Sequence, residues 1–163
     1  MEKKPYWIMA ALCLAAVIFS GIILVQERGR ANPTPTPDIF LTGVQNVCTI
    51  TKSNCEAVQE SSYGKTFGIE NAYLGIGGFL LMLALILAYI ISNRKLLRVP
   101  ILAGAMIGGC LSLRFLYLQA FVLKQYCILC VIVDVLSTAV LVLGIVIAAR
   151  LFSNDRKKPA KRK

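Results

Sequence analysis

Four stretches of the chain run almost free of charge: Trp7 to Val25, Ala72 to Ile91, Ile101 to Leu123, and Cys127 to about Ala149. At about 1.5 Å per helical residue, each can cross a hydrocarbon core of roughly 30 Å. The pattern predicts an all-α integral membrane protein built as a four-transmembrane-helix bundle. The membrane domain spans 1–152, residues 26–71 form an outer loop between the first two spans, and 153–163 form a basic tail. Composition agrees: 57% of the residues are hydrophobic and 16% are charged, too apolar a balance for a soluble domain. The first stretch has the basic start of a signal peptide in Lys3 and Lys4. Its apolar run is too long for one, however, and Gly29-Arg30-Ala31 is a poor cleavage site, so it is expected to remain as a span.

The net charge of +10 raises the question of nucleic acid, and its distribution answers it. With the N-terminus inside, one side of the membrane holds Lys3, Lys4, Arg94, Lys95, Arg98, Arg150 and the tail residues Arg156, Lys157, Lys158, Lys161, Arg162 and Lys163. The other side holds Arg28, Arg30, Lys52, Lys65 and Lys124. This is the positive-inside bias, which predicts cytoplasmic termini and a tail drawn to anionic lipid rather than to nucleic acid.

Within the outer loop, Asn32-Pro33-Thr34-Pro35-Thr36-Pro37 predicts an extended, stiff segment, followed by a small apolar cluster at Ile39, Phe40 and Leu41. Ser53-Asn54-Cys55-Glu56 fits a capping box with Ser53 as the cap. A short helix over 54–63 is expected to follow, with Gly64 as its stop. Cys55 then lies in a first helical turn, where the macrodipole favours a thiolate. Gly104 and Gly108 predict a close helix contact on the third span.

The chemistry lies in six cysteines. Cys48 and Cys55 are in the outer loop and Cys127 opens the fourth span at the same surface, where disulfides persist. Cys127 and Cys130 are i,i+3 on a helix start, the arrangement of thiol-disulfide exchange sites. Three readings compete: a tetrahedral zinc site, two static disulfides, or a redox relay. Attached haem is excluded because the chain contains no histidine. A relay needs an electron sink, and with no nucleotide fingerprint present the natural one is a membrane quinone. Cys130, about one turn deeper than Cys127, is placed to meet it. Arg114 and Asp134 lie at similar depth within their spans and predict an ion pair. Asp134 follows Cys130 by one turn and is a candidate proton carrier. Cys13 and Cys110 are expected to be buried apolar-type cysteines.

In combination these residues resemble the vitamin K epoxide reductase family of quinone-coupled thiol oxidoreductases. The resemblance covers about residues 7 to 150. It rests on Cys48, on the run from Cys55 through Ser61, Gly64, Phe67 and Gly68 to Ile69, on Ala72 and Gly75, and on Tyr126-Cys127-Ile128-Leu129-Cys130. It implies that Cys130 reacts with quinone, whether ubiquinone, menaquinone or vitamin K, and that Cys127 is its disulfide partner. By the same resemblance Cys55 passes electrons to Cys127, and Cys48 exchanges with a separate thioredoxin-like protein. Ser61 matches a family serine near the relay, and Asn71 an asparagine that hydrogen-bonds the quinone carbonyl. Asp134 replaces a tyrosine of the vertebrate members, and the loop cysteines stand one residue closer together. Both departures weigh against vitamin K epoxide as the physiological substrate. The expected activity is therefore oxidation of an exported thiol partner in support of disulfide formation. The alternatives are an endoplasmic reticulum vitamin K epoxide and quinone reductase, or a non-enzymatic protein with structural or zinc-binding cysteines.

Overall fold

The computed structural model describes residues 3–31, 54–66 and 68–157. Helix α1 (Lys4–Ala31) leads, and the next described element, a short α2 (Cys55–Glu60), precedes a minimal hairpin of β1 (Lys65–Thr66) and β2 (Ile69–Glu70). The hairpin runs directly into α3 (Asn71–Ser92). A 3-10 turn (Lys95–Leu97) joins this to α4 (Arg98–Tyr117), whose end passes into a π-helical turn (Leu118–Leu123), and α5 (Ile128–Lys157) is the last described element. Among the described residues, four segments are long and apolar enough to cross a membrane: Lys4–Gln26, Asn71–Ser92, Lys95–Leu123 and Ile128–Arg150. The all-α four-span bundle expected from hydropathy is the fold found.

Local chemistry sets the turns. Asn93 ends α3 in the left-handed region at φ 56°, with its N–H donating to the Tyr89 carbonyl. Pro100 sits in the first turn of α4, where its missing N–H breaks no helical bond. The hairpin reverses through Gly68 at φ 79°, a conformation open to glycine.

Helix α1 packs along both α3 and α5, and α4 along α5, whereas α3 and α4 touch each other far less. One apolar core joins Tyr6, Met9 and Cys13 to Ile86, Ile101, Ala105 and Val140. A second, at the other end, gathers Ile23, Val58 and Leu129 around Cys55 and Cys127. Large apolar side chains such as Leu81, Ile107, Phe121 and Val135 cover the outside, as a surface facing lipid tails requires.

Two expectations for α4 need correction. Gly104 closely approaches a neighbouring helix, but it is α3, through the Met82 side chain, while Gly108 has only ordinary room beside Ser137; both also border a cavity. Where α4 and α5 touch, an added methyl on Gly109 would collide with the Leu141 side chain, and one on Gly144 would press on Ala105. Cys13 is fully buried as expected, but Cys110 is exposed on the outer face of α4. Its neighbour Gly109 faces α5, so Cys110, about 100° further round, turns away from the bundle.

Candidate functional site

The short helix α2 is fixed at both ends. Its cap is Asn54 rather than Ser53, which lies outside the described residues: the Asn54 side chain accepts from the Ala57 N–H at 3.2 Å. The Asn54 backbone N–H donates across the fold to the Tyr126 carbonyl at 2.9 Å. Residues preceding the two cysteines Cys55 and Cys127 are thus tied by a main-chain bond. The helix ends at Glu60, earlier than expected, because Ser61 turns extended at ψ 157° and its hydroxyl donates to the Val58 carbonyl at 2.7 Å. Gly64 then packs directly on the Gln59 carbonyl, where a Cβ would have no room.

Cys127 is the residue before α5. Its carbonyl accepts the Val131 N–H at 2.9 Å, and its Sγ accepts the Cys130 N–H at 3.4 Å. The sulfur therefore caps the helix in the manner of a serine or asparagine oxygen. Cys127 is fully buried, and its thiol hydrogen-bonds with the thiols of both Cys55 and Cys130. The described cysteines are thiols rather than disulfides. Three sulfurs thus form a sequence, Cys55 to Cys127 to Cys130, with Cys127 in the middle. Cys48 lies outside the described residues.

Cys130 opens onto a cavity of about 610 Å³, within the range of small-molecule sites. The cavity occupies the gap between α3 and α4, is roofed by Val58, Gln59, Tyr63 and Gly64, and reaches Leu85 and Pro100. From Asn71 to Leu85 it follows α3 for roughly 20 Å, at about 1.5 Å per residue. Cys127 is not among its lining residues; Cys130 and Asp134, one turn apart on α5, both are.

Asp134 is buried but does not pair with Arg114. The Ser112 hydroxyl donates to its carboxyl group, and Gln119 Nε2 donates to Oδ2 at 3.3 Å. The other end of the same Gln119 amide, Oε1, accepts the Cys127 N–H at 3.1 Å. Gln119 therefore bridges the helix-capping cysteine and the buried acid. Arg114 is exposed instead. Ser112 faces inward, and two further residues rotate Arg114 by about 200° to the opposite side of α4.

The sequence placed Asn71 and Ser61 near the site, and both are held by local structure. Asn71 Nδ2 donates to the Tyr63 carbonyl at 2.7 Å, while its Oδ1 accepts from the Thr66 hydroxyl at 2.6 Å. Its N–H donates to the Gly64 carbonyl at 3.0 Å, so Asn71 braces the hairpin against the start of α3. Asn71 borders the cavity and Ser61 does not. Gln119 and Gln59 were not singled out by sequence; Gln59 carried a readable signal, its i,i+4 spacing from Cys55.

Bundle, buried thiol sequence and adjoining apolar cavity together define an integral membrane protein equipped for thiol chemistry beside the bilayer. Residues 7–145 match the vitamin K epoxide reductase family, and the chain belongs to that family. Membership makes it an oxidoreductase of the membrane thiol and quinone-reducing kind. No individual curated protein matches the sequence.

Proposed function

We propose that the protein is a membrane thiol oxidase that takes two electrons and two protons from a separate thioredoxin-like partner and delivers them to a membrane quinone. The observation that carries this reading is the hydrogen-bonded thiol sequence ending at Cys130 on the cavity wall. The partner dithiol reduces the Cys48–Cys55 disulfide. The Cys55 thiolate then attacks Cys127 of the Cys127–Cys130 disulfide and expels Cys130 as a thiolate. Cys48 resolves the mixed disulfide, leaving Cys127 and Cys130 reduced. A bound quinone supplies the two-electron oxidation that restores their disulfide.

The cavity suits such an acceptor. Its walls are largely apolar, with the polar groups Gln59, Asp134, Gln119 and Ser112 near the thiols. Asp134 sits one turn beyond Cys130 on the same face and is the group placed to hold a proton for the acceptor. Asn71 and Ser61 shape the roof through the hairpin and the end of α2.

Sidedness follows from charge. Lys3, whose Nζ donates to the Ile90 carbonyl at 2.9 Å, lies with Arg94, Lys95 and Arg98 at the end of the bundle opposite Cys55 and Cys127. The positive-inside rule then puts both termini in the cytoplasm and the thiols outside, with 1–152 as the redox domain and 153–163 as its basic tail.

Anaerobic titration of the purified protein with dithiothreitol and menaquinone, ubiquinone or vitamin K epoxide tests the reading. Quinone reduction that Cys130→Ser abolishes is the expected result. Cys48→Ala should retain reduction driven by dithiothreitol and lose reduction driven by a thioredoxin-like protein. Stoichiometric zinc without thiol-dependent quinone reduction would refute the proposal.

A further inference from the structure

Gln59 stands one turn after Cys55, so the two side chains share a face of α2. Cys55 meets the Cys127 thiol, and Gln59 lines the cavity alongside Cys130 and Asp134. Both polar atoms of its side chain, Nε2 and Oε1, are buried, and among the described residues neither has a hydrogen-bond partner. The neighbouring amides differ: those of Gln119 and Asn71 each both donate and accept within the fold. A buried amide without partners destabilises a protein unless something else completes it. Its backbone cannot swing away to seek water, because Gly64 is packed on the Gln59 carbonyl. The residue is therefore held at the roof of the cavity, where its donor and acceptor are themselves closed to water and reach a molecule in the cavity by rotation of the terminal amide.

We propose that the Gln59 amide is the polar anchor of the electron acceptor, with Nε2 donating to a ring carbonyl oxygen and so setting that ring against Cys130. The inference rests on the quinone-linked reading above and deepens it. An amide suits both forms of such a substrate. Nε2 donates to a carbonyl in the oxidised form, and Oε1 accepts from a hydroxyl in the reduced form. A carboxylate at this place accepts only, and an alkyl group does neither. The remaining roof residues Val58, Tyr63 and Gly64 give the ring apolar and aromatic contact, so the amide fixes its orientation.

The test uses full-length protein with dithiothreitol as reductant and menadione as acceptor. Gln59→Leu should raise the KM for menadione about 3- to 10-fold, the loss of one neutral hydrogen bond. Infrared difference spectra of bound carbonyl-labelled menadione should show the carbonyl stretch moving to higher frequency in the variant. A purely structural role would leave that frequency unchanged. Without quinone, the thermal midpoint of Gln59→Leu should match or exceed that of the parent, since an unpaired buried amide is removed. Gln59→Glu, nearly isosteric, should raise KM as well and covers the case in which the leucine variant fails to fold. Wild-type protein that does not reduce menadione would overturn the functional reading itself. Wild-type turnover with an unchanged KM and carbonyl frequency in both variants would overturn the Gln59 assignment alone.

Discussion

Gln119 is the most exacting test of the site's internal wiring, because a single amide holds a backbone donor and an acid from two different parts of the last span. In Gln119→Leu the volume is nearly kept and both bonds vanish. The Cys127 N–H is then buried without an acceptor, which costs about 1–3 kcal/mol. Loss of the bond to Asp134 adds about 0.5–1.5 kcal/mol if the carboxyl is neutral, and more if it is ionised. Burying the apolar surface of the leucine offsets roughly 1 kcal/mol of this. The net expectation is a destabilisation of about 2 kcal/mol, concentrated where Cys127 caps α5. Two assays read it: thermal unfolding in detergent, and maleimide labelling of Cys127, which is 0% exposed and reacts only when its surroundings open. An opening cost lowered by about 2 kcal/mol speeds labelling roughly 30-fold. A double-mutant cycle with Asp134→Ala should give a coupling of at least about 0.5 kcal/mol. Unchanged labelling together with additive stabilities would refute the bridge.

Three further outcomes follow from the same geometry. Asn54→Ala removes the side-chain cap on Ala57 and should weaken α2 by about 1 kcal/mol, so its amides exchange roughly 5-fold faster; unchanged protection contradicts the cap assignment. Gly64→Ala drives a methyl into the Gln59 carbonyl, and menadione reduction should fall by about tenfold or more in protein that still folds; a wild-type rate would show that the roof tolerates displacement. Arg114→Gln should leave turnover within about twofold, because Arg114 is exposed and Asp134 has other partners; a severe loss would restore the ion pair.

How far the sequence could be read depended on which dimension each feature used. The spans were legible because crossing a hydrocarbon layer imposes a length, and length is linear in sequence. The Cys127–Cys130 pair was legible for a similar reason, since i,i+3 on a helix is a local relation. Depth was also legible: Arg114 and Asp134 do lie at comparable levels. Azimuth was not. Ser112 rather than Arg114 faces Asp134, and Gly109 rather than Gly104 or Gly108 admits α5, because the phase of α4 is set by tertiary packing. Gln119 was hidden for a further reason. It lies in a π-helical turn, where i→i+5 bonding shifts side-chain phase relative to a 3.6-residue repeat. The hairpin Lys65–Glu70 was invisible because strands of two residues carry no alternation to detect; it depends on Gly68 and on the Asn71 bonds. The helix cap shifted from Ser53 to Asn54 because both residues are competent caps, and the choice falls to the register that brings Asn54 against Tyr126.

Helix α2 is only six residues long, yet it serves as a party wall. One turn carries Cys55 to the buried sulfur of Cys127, and the next carries Val58 and Gln59 over the cavity. The two compartments therefore have no independent doors. Any displacement large enough to pull Cys55 away from Cys127 also lifts the roof beside Cys130, and any closure that reseats the roof restores the sulfur contact. The main-chain bond from Asn54 to Tyr126 is the latch common to both.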